Sequence, residues 1–175
     1  MVVPKIALVL LGISLFSTSA FAEKLVWKQE PFPQNCKEQK QTANSEGDYL
    51  LNKCKTKFGP PMWQIFQESI RQSVGFGTTM NIPYLGASTS RGTWPLEWGG
   101  VMKGKNFVPR VAILRFKFGD DAAATTSLVA FRLLPNGKSC RLDDGISGKD
   151  ENARLRAAAE NPKTPCPIDG DIVGQ

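Results

Sequence analysis

Apolar and polar residues alternate most clearly over residues 111–118, where Ala112, Leu114, Phe116 and Phe118 fall on one side and Val111, Ile113, Arg115 and Lys117 on the other. A period of two sends successive side chains to opposite faces of a pleated chain. The segment therefore predicts a strand with one apolar face and a second that is half-buried. The pattern repeats over residues 127–134, with Val129, Phe131 and Leu133 inward. Asn136-Gly137 follows, a pair favoured in two-residue type I′ turns because both residues tolerate positive φ. Such a turn would set Leu133 opposite Cys140 and Phe131 opposite Leu142, all on one face. Upstream, residues 48–57 predict a strand with Tyr49, Leu51 and Lys53 on one side and Leu50, Asn52 and Cys54 on the other. Residues 96–102 predict a short strand running into the turn Lys103-Gly104-Lys105-Asn106.

Other segments carry weaker periodicity. Residues 23–46 are polar, with Pro31, Pro33 and the Lys37-Glu38-Gln39-Lys40 run, and predict an irregular lead-in tied down by Cys36. Residues 60–76 fit two templates. Met62, Ile65, Phe66, Ile70 and Val74 have helical spacing, whereas Trp63 with Ile65, and then Ile70, Val74 and Phe76, suit two alternating strands. Residues 78–91 read as a loop rich in Ser, Thr and Gly. Near the C-terminus Asp150 suits an N-cap, and Pro162 would end a helix over 151–161. That helix carries only Leu155, Ala158 and Ala159 as an apolar stripe, with Glu160 four residues beyond Arg156. So little apolar surface makes it unstable alone, and it must dock on the sheet. The expected class is α+β: a largely antiparallel β-sheet with one C-terminal helix, stapled by disulfides.

The N-terminus decides the compartment. Lys5 precedes an apolar run over residues 6–16, and Ala20-Phe21-Ala22 places small residues where a signal peptidase reads. Residues 1–22 are therefore expected to be a signal peptide, leaving one globular periplasmic or secreted domain over 23–175 with no transmembrane segment. Four cysteines, Cys36, Cys54, Cys140 and Cys166, then read as two disulfides. A zinc site would need closely paired cysteines, and none has such a neighbour. Of three connectivities, Cys36–Cys54 and Cys140–Cys166 each close a short loop, worth about 3 kcal/mol apiece in the chain-entropy model.

Charge and composition narrow the chemistry. The chain of 175 residues has a formal charge of +6, and loss of Lys5 with the signal peptide leaves +5. Such a surplus attracts anionic partners, an envelope component among them. Histidine is absent, which removes the usual base of Ser and Cys nucleophiles and the commonest metal ligand. Arg115-Phe116-Lys117-Phe118 interleaves basic and aromatic residues, but lacks the glycines of an RNA-recognition strand and reads as Phe inside, Arg and Lys outside. Nucleic acid is not an expected partner. Trp94-Pro95-Leu96-Glu97-Trp98 sets two indoles beside a carboxylate; Trp98 enters a strand and suits the core, and Trp94 is the candidate for a binding surface. Asp120-Asp121 and Asp143-Asp144 suit turns, and the second pair is too short for a calcium loop. No metal or cofactor site is expected.

Cys54 with Gly59 and Trp63, the run Arg71-Gln72-Ser73-Val74-Gly75-Phe76-Gly77, Glu97-Trp98, Val111-Ala112-Ile113-Leu114-Arg115, Ser139-Cys140, Asn152-Ala153-Arg154-Leu155 and Cys166 occur in an order that resembles small exported conserved-hypothetical proteins of alphaproteobacteria. The resemblance covers about two thirds of the mature chain and implies a β-rich, disulfide-stapled periplasmic domain. It also implies a hairpin over 60–76 turning near Glu68-Ser69. Such proteins tend to have Cys-His where this chain has Cys140-Arg141, so any role of that histidine is absent here. The resemblance implies no activity. The expected function is a non-enzymatic exported binding or envelope-associated module with an anionic partner, whose candidate contacts are Trp94, Lys103, Lys105, Arg110, Arg115 and Lys117. An inhibitor or binder of an envelope or host enzyme, similar to lysozyme inhibitors, and a histidine-independent hydrolase working through carboxylates are the alternatives.

Overall fold

The computed structural model describes residues 24–39, 49–67, 71–80, 95–118, 125–142 and 149–166. The expected signal segment and cleavage site, Trp94 and the acidic pairs at 120–121 and 143–144 lie outside these residues. In chain order the elements are β1 (Val26–Glu30), β2 (Cys36–Glu38), β3 (Tyr49–Cys54), β4 (Met62–Gln67), β5 (Arg71–Phe76), β6 (Leu96–Lys103), β7 (Asn106–Phe118), β8 (Thr125–Leu133), β9 (Ser139–Arg141) and α1 (Glu151–Glu160). They form an antiparallel five-stranded sheet ordered β1-β6-β7-β8-β9 and an antiparallel four-stranded sheet ordered β2-β3-β4-β5.

The apolar faces of the two sheets meet. Cys54, Met62, Val74 and Phe76 from the smaller sheet pack against Leu96, Trp98, Ala112, Leu114, Phe116, Val129 and Phe131 from the larger. Phe76 stands edge-on to both Trp98 and Phe131, with 5.3 Å between ring centroids in each pair. This geometry suits the ring quadrupoles. Trp98 is fully buried, as its place in the alternation implied. The second face of β7, expected to be half-buried, is covered by the helix: Val111, Ile113, Leu128, Ala130 and Leu142 pack on Leu155 and Ala159.

Helix α1 is held by polar contacts as well as its narrow apolar stripe. The buried Glu151 carboxylate accepts from the Leu128 N–H at 2.6 Å, the Ser127 hydroxyl at 2.8 Å and Arg115 Nη1 at 3.3 Å. Glu97 accepts from Asn152 Nδ2 at 3.1 Å and from Nε and Nη2 of Arg156 at 3.2 and 2.6 Å. Beyond the helix, Arg132 donates to the carbonyls of Asn161 and Thr164 at 2.9 and 3.0 Å. Burial lowers the Arg132 pKa from its ordinary value. Asp150 does not cap the helix with its side chain as expected: it adopts φ 62°, ψ 20° and makes no capping bond. Its carbonyl accepts from the Arg154 N–H instead.

Both disulfides have the expected partners, Cys36–Cys54 and Cys140–Cys166. The route to the second one is different. The turn after β8 is not the two-residue type I′ form: Asn136 keeps negative φ and only Gly137, at φ 79°, is left-handed. Leu134 N–H donates to Lys138 O and Gly137 N–H to Leu134 O, which makes a three-residue loop with a left-handed glycine. The extra residue shifts the register by one, pairing Leu133 with Ser139, Arg132 with Cys140 and Phe131 with Arg141. A one-residue shift turns every side chain over. Cys140 and Leu142 therefore face the helix, on the opposite side of the sheet from Val129, Phe131 and Leu133.

Three more expectations are corrected or settled. The lead-in is not irregular, because β1 pairs with β6 and β2 with β3. Its polar residues are usable in a strand: the Lys28 ammonium lies 5.1 and 4.7 Å from the ring centroids of Phe58 and Phe107. Strand β7 begins at Asn106 rather than Val111, passing through Pro109 where the register slips between Gly99 and Gly100. A bulge is one of the few strand positions where a residue without an N–H is tolerated. Within residues 60–76 the strand alternative holds over the helical one, since β4 and β5 pair antiparallel with Met62 opposite Phe76 and Gln67 opposite Arg71; the turn expected near Glu68-Ser69 lies outside the described residues.

Candidate functional site

The segment that crosses from β1 to β2, residues 31–35, and the end of β3 border a cleft of about 480 Å³. Its walls include Phe32, Gln34, Asn35, Lys55 and Lys57. A second depression of about 200 Å³ shares Asn35 and Lys55 and adds Lys37, Lys53 and Pro61. Local pairing explains the convergence. Cys36 lies directly opposite Cys54, so Lys37 lies directly opposite Lys53. The Lys55 N–H bonds to Asn35 O at 3.1 Å, extending the same ladder. Lys53, Lys55 and Lys57 are spaced by two residues, and Thr56 between them is tied to the Gly59 and Pro60 carbonyls at 2.6 and 3.0 Å.

Opposed like charges on neighbouring strands are destabilising. Here the disulfide beside Lys37 and Lys53 holds them together. Lys53 lies over the Trp63 ring at 4.6 Å and Lys57 over the Phe58 ring at 5.0 Å. Among the described residues, no carboxylate forms an ion pair with Lys28, Lys37, Lys53, Lys55 or Lys57. The nearby Glu30 is buried and already occupied, accepting from Trp98 Nε1 and from the Lys57 N–H. The arrangement presents four ammonium groups along one groove, with Lys53 half-buried and Lys37, Lys55 and Lys57 exposed. Its chemistry is attraction of anions.

The residues proposed from sequence are distributed differently. Lys103 and Lys105 are exposed at the β6–β7 turn, where Gly104 takes φ 61°, and Arg110 is exposed at the bulge. Arg115 lies nine residues along β7 from Asn106, the partner of Lys103, or about 30 Å at 3.3 Å per residue. That exceeds the Debye length of about 8 Å several-fold, so the five cations do not act as one patch. Arg115 is moreover spent on Glu151. Position 117 lies on β7, but its side chain is outside the described residues, as is Trp94.

Lys37, Lys53, Lys55 and Lys57 escaped the sequence reading. A signal was present: Lys53-Cys54-Lys55-Thr56-Lys57 places lysines at every second residue around a cysteine, and the Cys36–Cys54 pairing puts Lys37 beside them. Among the described residues, no group of three or more His, Cys, Asp or Glu is placed to hold a metal ion. Nor is any helix there long and apolar enough to cross a membrane. Comparison with known protein families, with characterised proteins and with solved structures finds no match.

Proposed function

We propose that this is an exported, non-enzymatic binding module whose ligand is anionic and occupies the groove between residues 31–37 and 53–57. The observation that carries the reading is the lysine pair Lys37–Lys53, directly opposed across β2 and β3, continued by Lys55 and Lys57 and without carboxylate partners among the described residues. A bound anion offsets the mutual repulsion of these ammonium groups, so ligand binding and local stability are linked. The two disulfides fit an oxidising compartment. A hydrolase working through carboxylates receives less support, because Glu30, Glu97 and Glu151 give their oxygens to structural donors.

Retention of the mature protein on immobilised heparin, eluted with a salt gradient, tests the reading. Lys37→Ala/Lys53→Ala/Lys55→Ala should elute far earlier than wild type. Lys103→Ala/Lys105→Ala, a two-charge comparison at the β6–β7 turn outside the groove, should shift elution less per charge removed. Unchanged elution of the triple variant would remove the groove from consideration.

A further inference from the structure

The inner face of the five-stranded sheet has an end that stays exposed. Val26 and Met102 are there, 44% and 42% exposed, two of the three large apolar side chains exposed to this degree among the described residues. Val26 pairs with Gly100 and Met102 with Phe107, so Val26 and Met102 sit diagonally on neighbouring strands. Diagonal neighbours lie within about 7–8 Å. A Cβ at Gly100 would meet the Phe107 ring at 2.7 Å, so the ring fills the space on that glycine. Phe107 in turn stands edge-on to Phe58. Lysines border this apolar strip: Lys28 over both rings, Lys57 over Phe58, and Lys103 and Lys105 at the adjoining turn. Lys57 also lines the anion groove, so strip and groove are continuous.

We infer that this end of the molecule docks on a lipid surface bearing anionic headgroups, with Val26 and Met102 entering the interface and the lysines contacting headgroup phosphates. The inference rests on the anion-binding reading and assigns its ligand to a membrane surface. Charge complementarity selects the occupant. An apolar centre with a cationic rim matches the headgroup boundary, where lysine stems lie along the apolar zone and their ammonium groups reach the phosphates. A soluble polyanion would leave Val26 and Met102 in water. A second copy meeting the same face would set lysine against lysine.

Co-sedimentation with vesicles of phosphatidylcholine, alone or mixed with phosphatidylglycerol, tests the inference. Wild-type mature protein should bind the mixed vesicles and leave the pure phosphatidylcholine vesicles unbound. Val26→Thr/Met102→Gln keeps the charge and alters only exposed side chains. It should weaken vesicle binding roughly tenfold with heparin retention and melting temperature unchanged, and Val26→Ile/Met102→Leu should bind like wild type. Vesicle binding unaffected by Val26→Thr/Met102→Gln would overturn the insertion. Retention on heparin without vesicle binding would overturn the membrane assignment and leave the anion-binding reading standing. Failure on both supports would remove that reading as well.

Discussion

Replacing Glu151 with alanine would remove the acceptor of three donors at once: the Leu128 N–H, the Ser127 hydroxyl and Arg115 Nη1. The Leu128 amide is buried, and leaving it unsatisfied costs about 1–3 kcal/mol. Ser127 is half-buried and can turn to its neighbour's carbonyl or to water, so its loss is smaller, about 0.5–1 kcal/mol. The Arg115 side chain is 30% exposed, and the ion pair accordingly adds about 0–1 kcal/mol. Together these put Glu151→Ala roughly 1.5–5 kcal/mol below wild type, a fall in melting temperature of about 3–20 °C for a domain of this length. Glu151→Gln keeps an oxygen for Leu128 and Ser127 but turns an NH2 toward Arg115 in place of the second acceptor, so it should cost about 1 kcal/mol. Arg115→Met should cost no more than that. Urea unfolding with the disulfides intact, followed by circular dichroism, reads all three. Alanine and glutamine variants of equal stability would refute the reasoning, because the Leu128 acceptor would then be irrelevant. So would an Arg115→Met variant as unstable as Glu151→Ala.

Cys140→Ser/Cys166→Ser should cost about 3 kcal/mol in the chain-entropy model. In hydrogen exchange, the amides of α1 should lose protection while those of β6, β7 and β8 keep most of theirs; uniform loss would mean the helix is integral to the sandwich. Lys37→Glu converts a repulsive cross-strand pair with Lys53 into an attractive one. It should stabilise the protein by about 0.2–1 kcal/mol while heparin elution moves to lower salt. A destabilised Lys37→Glu variant would show that the opposed lysines are not under strain.

The alternation in residues 111–118 and 127–134 was enough to establish two neighbouring strands and their apolar faces, because side-chain direction along a strand depends only on the chain itself. Cysteine spacing was enough for both disulfides, since each closes a local loop. The strands of the lead-in were not legible for the opposite reason. Trp27, Lys28 and Glu30 show no strong period, and they form β1 because β6, nearly seventy residues later, offers an edge, while Arg156 on α1, Phe107 on β7 and Trp98 on β6 give their side chains partners.

Two features needed tertiary structure outright. Asn136-Gly137 is compatible with a two-residue or a three-residue loop, and the choice shifts β9 by one residue and sends Cys140 to the helix instead of the core between the sheets. Packing decides it, because only the longer loop sets Cys140 and Leu142 against α1 while leaving Phe131 on Phe76. The candidate site was displaced for a related reason. Charge along the chain shows which residues are cationic, but the field at a surface depends on distances through space. Pairing across β2 and β3 brings Lys37 to Lys53, whereas the length of β7 separates Lys103 from Arg115 and Glu151 occupies Arg115. Local sequence determined the elements, their faces and the covalent staples of this protein. Register, and with it the grouping of charges, was decided by pairing between strands and packing between layers.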